Sequence, residues 1–132
     1  MLKTCRGSCH CGAVTFEADL DLTCDSYRSN CSICRRTRFW PALATPEGFR
    51  LLSGESGLTR YLFNSRNNVH YFCRHCGVRP FGVGTETPIG TMHRVNLGGL
   101  DDVSDEGLSR VPVANVDGRN HRFAPPACLS HL

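Results

Sequence analysis

The chain has 132 residues, a formal net charge of +3, and a composition that is 40% hydrophobic and 20% charged. That length fits one domain over residues 1–132, with a core that needs no crosslinks to form. The mild charge speaks against a dedicated nucleic-acid binder. No stretch approaches the ~18 apolar residues of a membrane span, and MLKTCRGSCH has no apolar signal core, so a cytoplasmic protein is expected.

In chain order, short apolar runs alternate with Gly, Pro, Asn and Ser, which predicts a mainly β fold. AVTFEA (13–18) alternates as a strand. After Cys31 a short helical turn is expected. TRFWPALA (37–44) reads as a strand that Pro41 confines to an edge or bulge. LTRYLF (58–63) and VHYF (69–72) flank the turn-like SRNN and read as a hairpin. TMHRVNL (91–97) is a further strand, ended by Gly98 and Gly99, and a second helical turn is expected around Ser104–Ser109. No ten-residue stretch has the 3.6 period of an amphipathic helix. The tail RNHRFAPPACLSHL reads as irregular.

Nine cysteines are the outlying feature. Without a secretory signal, clustered cysteines read as metal ligands or reactive thiols rather than disulfides. Cys5, Cys24 and Cys128 are scattered, and packed free thiols are the plain reading for them. Cys9-His10-Cys11-Gly12 and Cys73-Arg74-His75-Cys76-Gly77 are two tight pairs, each closed by a glycine. Two such turns supply the four thiolates of a structural zinc. Cys11 and Cys73 lie 62 residues apart, so such a metal staples distant parts of the chain. Unpaired thiols or a redox C-x-x-C are the alternatives. His10 and His75, between the sulfurs, read as loop residues.

Cys31-Ser32-Ile33-Cys34-Arg35-Arg36 carries a third pair beside two arginines, an electropositive setting that acidifies thiols and attracts anions. Two sulfurs alone make no stable zinc site, since a catalytic zinc takes three protein ligands and leaves one position open.

GSCHCG, CSICRR and FCRHCG, in this order and spacing, with the late VDGRN (116–120), resemble the glutathione-dependent formaldehyde-activating enzyme family, which includes centromere-protein-V-like proteins. The resemblance runs over nearly the whole chain. It implies a zinc-stapled, mainly β, tent-like fold with a structural zinc on Cys9, Cys11, Cys73 and Cys76. It also implies a second zinc on a C-x-C-x-x-C segment, of which this chain has Cys31 and Cys34 but Ser29 in the first position. Serine is a harder and weaker zinc ligand than cysteine; Cys24 is the one nearby substitute. The activity implied is carbon–sulfur lyase-like, joining a small-molecule thiol such as glutathione to formaldehyde. Cys31 and Cys34 are then the catalytic candidates. Arg35, Arg36 and Arg119 are the candidates to hold substrate carboxylates, with solvated surface charges as the plain alternative. Two rivals stay open: a non-catalytic zinc-stapled binding module, and a metal-free redox dithiol at Cys31 and Cys34.

Overall fold

The computed structural model describes residues 1–132, the side chain of Glu86 excepted. Ten strands form three sheets. The first sheet is antiparallel, with β2 (Thr15–Leu20) between β1 (Lys3–Ser8) and β5 (Phe49–Ser53). The largest runs in the order β4 (Pro41–Ala44), β9 (Gly90–Asn96), β8 (Phe81–Thr87), β7 (Asn68–Cys73), β6 (Leu58–Tyr61), antiparallel throughout. The third is a parallel pair, β3 (Ser26–Ser29) with β10 (Val113–Val116). Two helices, α1 (Ser32–Thr37) and α2 (Asp105–Ser109), are each little more than one turn.

Alternation decides which faces pair. On β2, Phe16, Ala18 and Leu20 are fully buried while Thr15, Glu17 and Asp19 face outward. Outward-facing Glu17 and Asp19 hold Arg50 of β5 at 3.3 and 3.0 Å. The inner residues meet Ala42, Ala44 and Val95 of the large sheet, and Leu97, Leu100 and Val111 complete this core. Phe49 links the sheets, its ring centroid 5.6 Å from that of Phe16 and 4.5 Å from that of Phe81.

The expected strands at 13–18, 58–63, 69–72 and 91–97 correspond to β2, β6, β7 and β9, and the hairpin is β6–β7. Pro41 opens an edge strand, where its missing N–H costs no ladder bond. The run 37–44 is shorter than expected: α1 takes Thr37, and Arg38 leaves it in the left-handed conformation at φ 57°. Among the described residues, no helix is long and apolar enough to cross a membrane.

Candidate metal centre and active site

The turn after β1 and the turn after β7 bring four sulfurs together. The Sγ atoms of Cys9, Cys11, Cys73 and Cys76 all lie within 4.8 Å of one another, with Cys9–Cys11 and Cys11–Cys73 each at 3.6 Å. The edge of a tetrahedron with Zn–S of about 2.3 Å is about 3.8 Å, so the donor set and its spacing fit a zinc-type ion. Gly12 at φ +80° and Gly77 at φ +77° turn each strand end back in a conformation that other residues rarely adopt. The backbone N–H of Val14 donates to Cys9 Sγ at 3.3 Å. A Val78 N–H holds the Cys76 thiol down to about 6, and a Cys76 N–H lowers Cys73. These are the second contacts that orient thiolate ligands. Val14, Leu51, Leu58 and Val78 close an apolar shell around the cluster. His75 lies beside Gly57, and neither it nor His10 belongs to the cluster.

The second cysteine pair sits where β3 enters α1. The Cys31 side chain caps α1, accepting the Cys34 N–H at 3.4 Å. Ser29 is buried, and its hydroxyl accepts the Cys31 N–H at 3.2 Å. Gly118 packs directly over it: a Cβ there would lie 2.2 Å from Ser29 Oγ. Among the described residues, the four-cysteine cluster alone gathers three or more Cys, His, Asp or Glu ligand atoms. Cys24 is exposed and interacts with Asp21 instead. Beside Cys31 and Cys34 the third position is thus held by a serine hydroxyl that already accepts a backbone N–H, a weaker donor set than three thiolates.

Their surroundings split the two thiols. The Cys34 side chain, the Cys34 N–H and the Ser29 hydroxyl bring Cys31 down to about 5 against the opposing effect of burial. Cys34 moves up, first because Cys31 takes its hydrogen bond and then because it is buried. A cavity of about 280 Å³ opens beside Cys34, lined also by Arg28, Ser29, Arg35, Arg38, Phe39, Trp40 and Asn96; Cys31 is not part of its lining. Trp40 is anchored there by its Nε1–H, which donates to Ser26 Oγ at 2.7 Å, while the Arg28 guanidinium sits 5.6 Å from its ring.

The three arginine candidates are not gathered in one place. Arg35 lines the cavity with Cys34; Arg36 is exposed and donates to the Ser32 carbonyl at 2.8 Å. Arg119 lies across Asn30, in a separate cavity of about 440 Å³ with Asp117, Arg122 and His131. Its backbone N–H donates to Asn30 Oδ1 at 2.9 Å, and Asn30 Nδ2 donates to Asp117 at 2.9 Å. Asn120 and Asn30 together hold the Asp117 carboxyl below its usual range. The VDGRN segment is thus a turn bolted to the end of β3, and it closes over Ser29.

Two further arginines at this site carried no sequence signal of their own. Arg79, from VRPF, is 8% exposed and stacks on Phe39, its Cζ 3.7 Å from the ring centroid. Arg94 of β9 is half-buried beside it and donates to Asn68 Oδ1 at 2.5 Å. Both cations act on Cys34 and on Tyr27, whose hydroxyl burial pushes up to about 12. A buried arginine beside a C-x-x-C reads in sequence as ordinary surface charge.

A mainly β frame in which four cysteine sulfurs are gathered so that they could hold a metal ion, with a second cysteine pair beside a small arginine-lined cavity, defines the class of domain. A family profile described as glutathione-dependent formaldehyde-activating enzyme matches residues 4–115. The chain belongs to that family. It is also similar to the crystal structure of a Rhodobacter sphaeroides protein, with 34% identity and a TM-score of 0.70, covering 82% of this chain and 98% of that one.

Proposed function

We propose that this chain joins a glutathione-like thiol to a small aldehyde in the cavity beside Cys34. The observation that carries the reading is the arginine-lined cavity at the acidified Cys31–Cys34 pair, in a chain of this family. The reaction is addition: the substrate thiolate attacks the carbonyl carbon and the C–S bond forms. The π pair moves to oxygen, and the alkoxide takes up the proton that the thiol gave up. The barrier near neutral pH lies in keeping enough thiolate and in holding two small molecules together. Positive charge from Arg28, Arg35 and Arg38 favours a bound thiolate over a thiol, and Arg35 is placed to pair with a substrate carboxylate. Cys34, kept protonated by its hydrogen bond to Cys31 and by burial, would turn that one S–H from Cys31 to the forming alkoxide. The zinc of the four-cysteine cluster is structural in this reading.

The test is formaldehyde consumption with glutathione by purified protein, alongside Cys31→Ser, Cys34→Ala and Ser29→Cys variants. An excess over the uncatalysed rate that Cys34→Ala abolishes supports the reading. A rate equal to the uncatalysed one for every form ends it.

The split between Cys31 and Cys34 favours one rival, a redox dithiol. An acidic attacking thiol beside a protonated resolving thiol suits exchange with a small disulfide. Cys31 would attack one sulfur of glutathione disulfide and release one glutathione; Cys34 would then close the internal disulfide and release the second. Mass spectrometry after mixing with glutathione disulfide separates the readings: a Cys31–Cys34 disulfide formed within seconds favours the redox one.

A further inference from the structure

Arg79 and Arg94 sit against a strip of β8 that holds no side chains on that face. Gly82 and Gly84 are two apart and so point the same way. A Cβ on Gly82 would lie 3.1 Å from Arg79 Nη2, and one on Gly84 would lie 2.9 Å from Arg94 Nη2. The two glycines leave the floor on which two guanidiniums lie side by side. Their hydrogen-bond partners are neutral: Arg79 Nη2 contacts His70 Nδ1 at 2.6 Å, and Arg94 bonds Asn68. His70 stays uncharged because burial, then Arg79 and Arg94, take its pKa down to about 4. Among the described residues no carboxylate pairs with either arginine. Arg79 Nε and Nη1 are buried with no hydrogen-bond partner, Cys34 Sγ included. Arg79 is thus a buried cation with no carboxylate partner and two guanidinium nitrogens left without a hydrogen bond, a condition that a bound anion relieves. Its neighbours Tyr27, Cys31 and Cys34, and Asn68 beside Arg94, are half-buried, and Cys34 also lines the cavity of about 280 Å³.

We propose that Arg79 and Arg94 form an anion subsite beside Cys34 that takes a small carboxylate. Phe39 covers one face of the Arg79 guanidinium at 3.7 Å, which leaves its edge for a small planar oxyanion. Guanidinium donors match carboxylate geometry. The carboxylate arrives on either reactant: on the thiol, as in a glutathione-like peptide, or on the aldehyde, as in a two-carbon oxo acid. This inference supplies an anchor for the reaction proposed above, but its test requires no turnover.

The test compares alkylation of the Cys31–Cys34 pair by iodoacetate and by iodoacetamide, followed by peptide mass spectrometry. Both reagents see the same thiolate fraction, so their rate ratio reports the subsite and not the acidity of the thiol. In wild-type protein the ratio of iodoacetate to iodoacetamide should exceed that of free cysteine by about tenfold or more, with iodoacetate saturating. Arg79→Met should return the ratio to that of free cysteine. It should also melt no lower than wild type, since it replaces an unpaired buried charge with an apolar side chain of similar volume. Arg79→Lys keeps the charge without the fork and should retain part of the preference. Glycolate and S-methylglutathione, added as protectants, then name the carrier: protection by glycolate alone points to the aldehyde, and protection by S-methylglutathione alone to the thiol. A wild-type ratio equal to that of free cysteine overturns the proposal. So does a raised ratio that Arg79→Met leaves unchanged. If formaldehyde turnover with glutathione is absent while the ratio behaves as expected, the reaction reading fails and the subsite stands.

Discussion

Opening the four-cysteine clip should cost about as much stability as the largest single core substitution in this chain. The double variant Cys73→Ser/Cys76→Ser removes both sulfurs of the β7 turn. The contact from Cys11 to Cys73 closes a loop of 62 residues. A crosslink across a loop of that length restricts the unfolded chain by about 4 kcal/mol in the chain-entropy description. That is a large share of the ~5–15 kcal/mol total of a typical domain. Cys73 is fully buried, so a serine hydroxyl there adds a desolvation cost. At about 2.1 cal/mol/K per residue, 4 kcal/mol lowers the melting temperature of a chain this size by about 15 °C. The measurement is metal per chain by atomic emission, paired with a thermal melt followed by circular dichroism. Wild type should carry one tightly held ion at this cluster, and the variant should lack it and melt lower or fail to stay soluble. A variant that loses the ion yet melts within about 3 °C of wild type would refute the staple.

Gly118→Ala should destabilise by about 1–3 kcal/mol in a urea melt, because its Cβ meets Ser29 Oγ at 2.2 Å. In a Ser29→Ala background much of that cost should vanish, since the nearest remaining atoms are Cys31 Cβ at 3.1 Å and residue 29 Cβ at 3.5 Å. Iodoacetamide should label Cys31 with a half-point near pH 5, where an ordinary thiol would still be protonated; a half-point above 8 contradicts the environment described. His70 is depressed to about 4, so between pH 6.5 and 4 the unfolded chain binds a proton that the folded chain refuses. Stability attributable to His70 is therefore complete above pH 6.5 and falls by up to about 1.4 kcal/mol per pH unit as pH drops through that window. His70→Gln should flatten this slope, and an unchanged slope would point to other groups. Phe16→Ala, at the junction of the sheets, should cost about 3–5 kcal/mol in the same melt.

Where inward positions are large and apolar, the strands announce themselves. Phe16, Ala18 and Leu20 alternate cleanly with polar residues, and SRNN marks the hairpin between β6 and β7. β1 went unread because its inward residues are Cys5 and Gly7, neither of which registers as an apolar stripe. β8 hides for the same reason: Gly82 and Gly84 vacate one face for arginines that come from elsewhere in the chain. β3 and β10 are four residues each, and their parallel pairing joins segments that no local pattern links. The metal cluster was legible because ligand chemistry demands cysteines at short spacing, and the fold had only to bring two turns together. The arginine pair was not, since an arginine's burial depends wholly on what packs above it. In sequence the one trace was Arg79 set between Val78 and Pro80-Phe81. The engagement of Ser29 by the Cys31 N–H and by Gly118 also needed the three-dimensional structure, because its second partner lies in VDGRN.

The parallel β3–β10 pairing also orders assembly in time. The four sulfurs of the metal cluster all lie within residues 9–76, so the clip closes on a chain little more than half made. The cysteine pair at 31 and 34 waits far longer. Asn30 takes its partner Asp117 from 87 residues downstream, and Ser29 is covered by Gly118. During synthesis from the N-terminus, all four cluster cysteines are therefore made before the segment that covers Ser29. Contacts of such separation are slow to form, and a truncation after residue 112 would leave the clip intact and Cys31 open to any electrophile in reach.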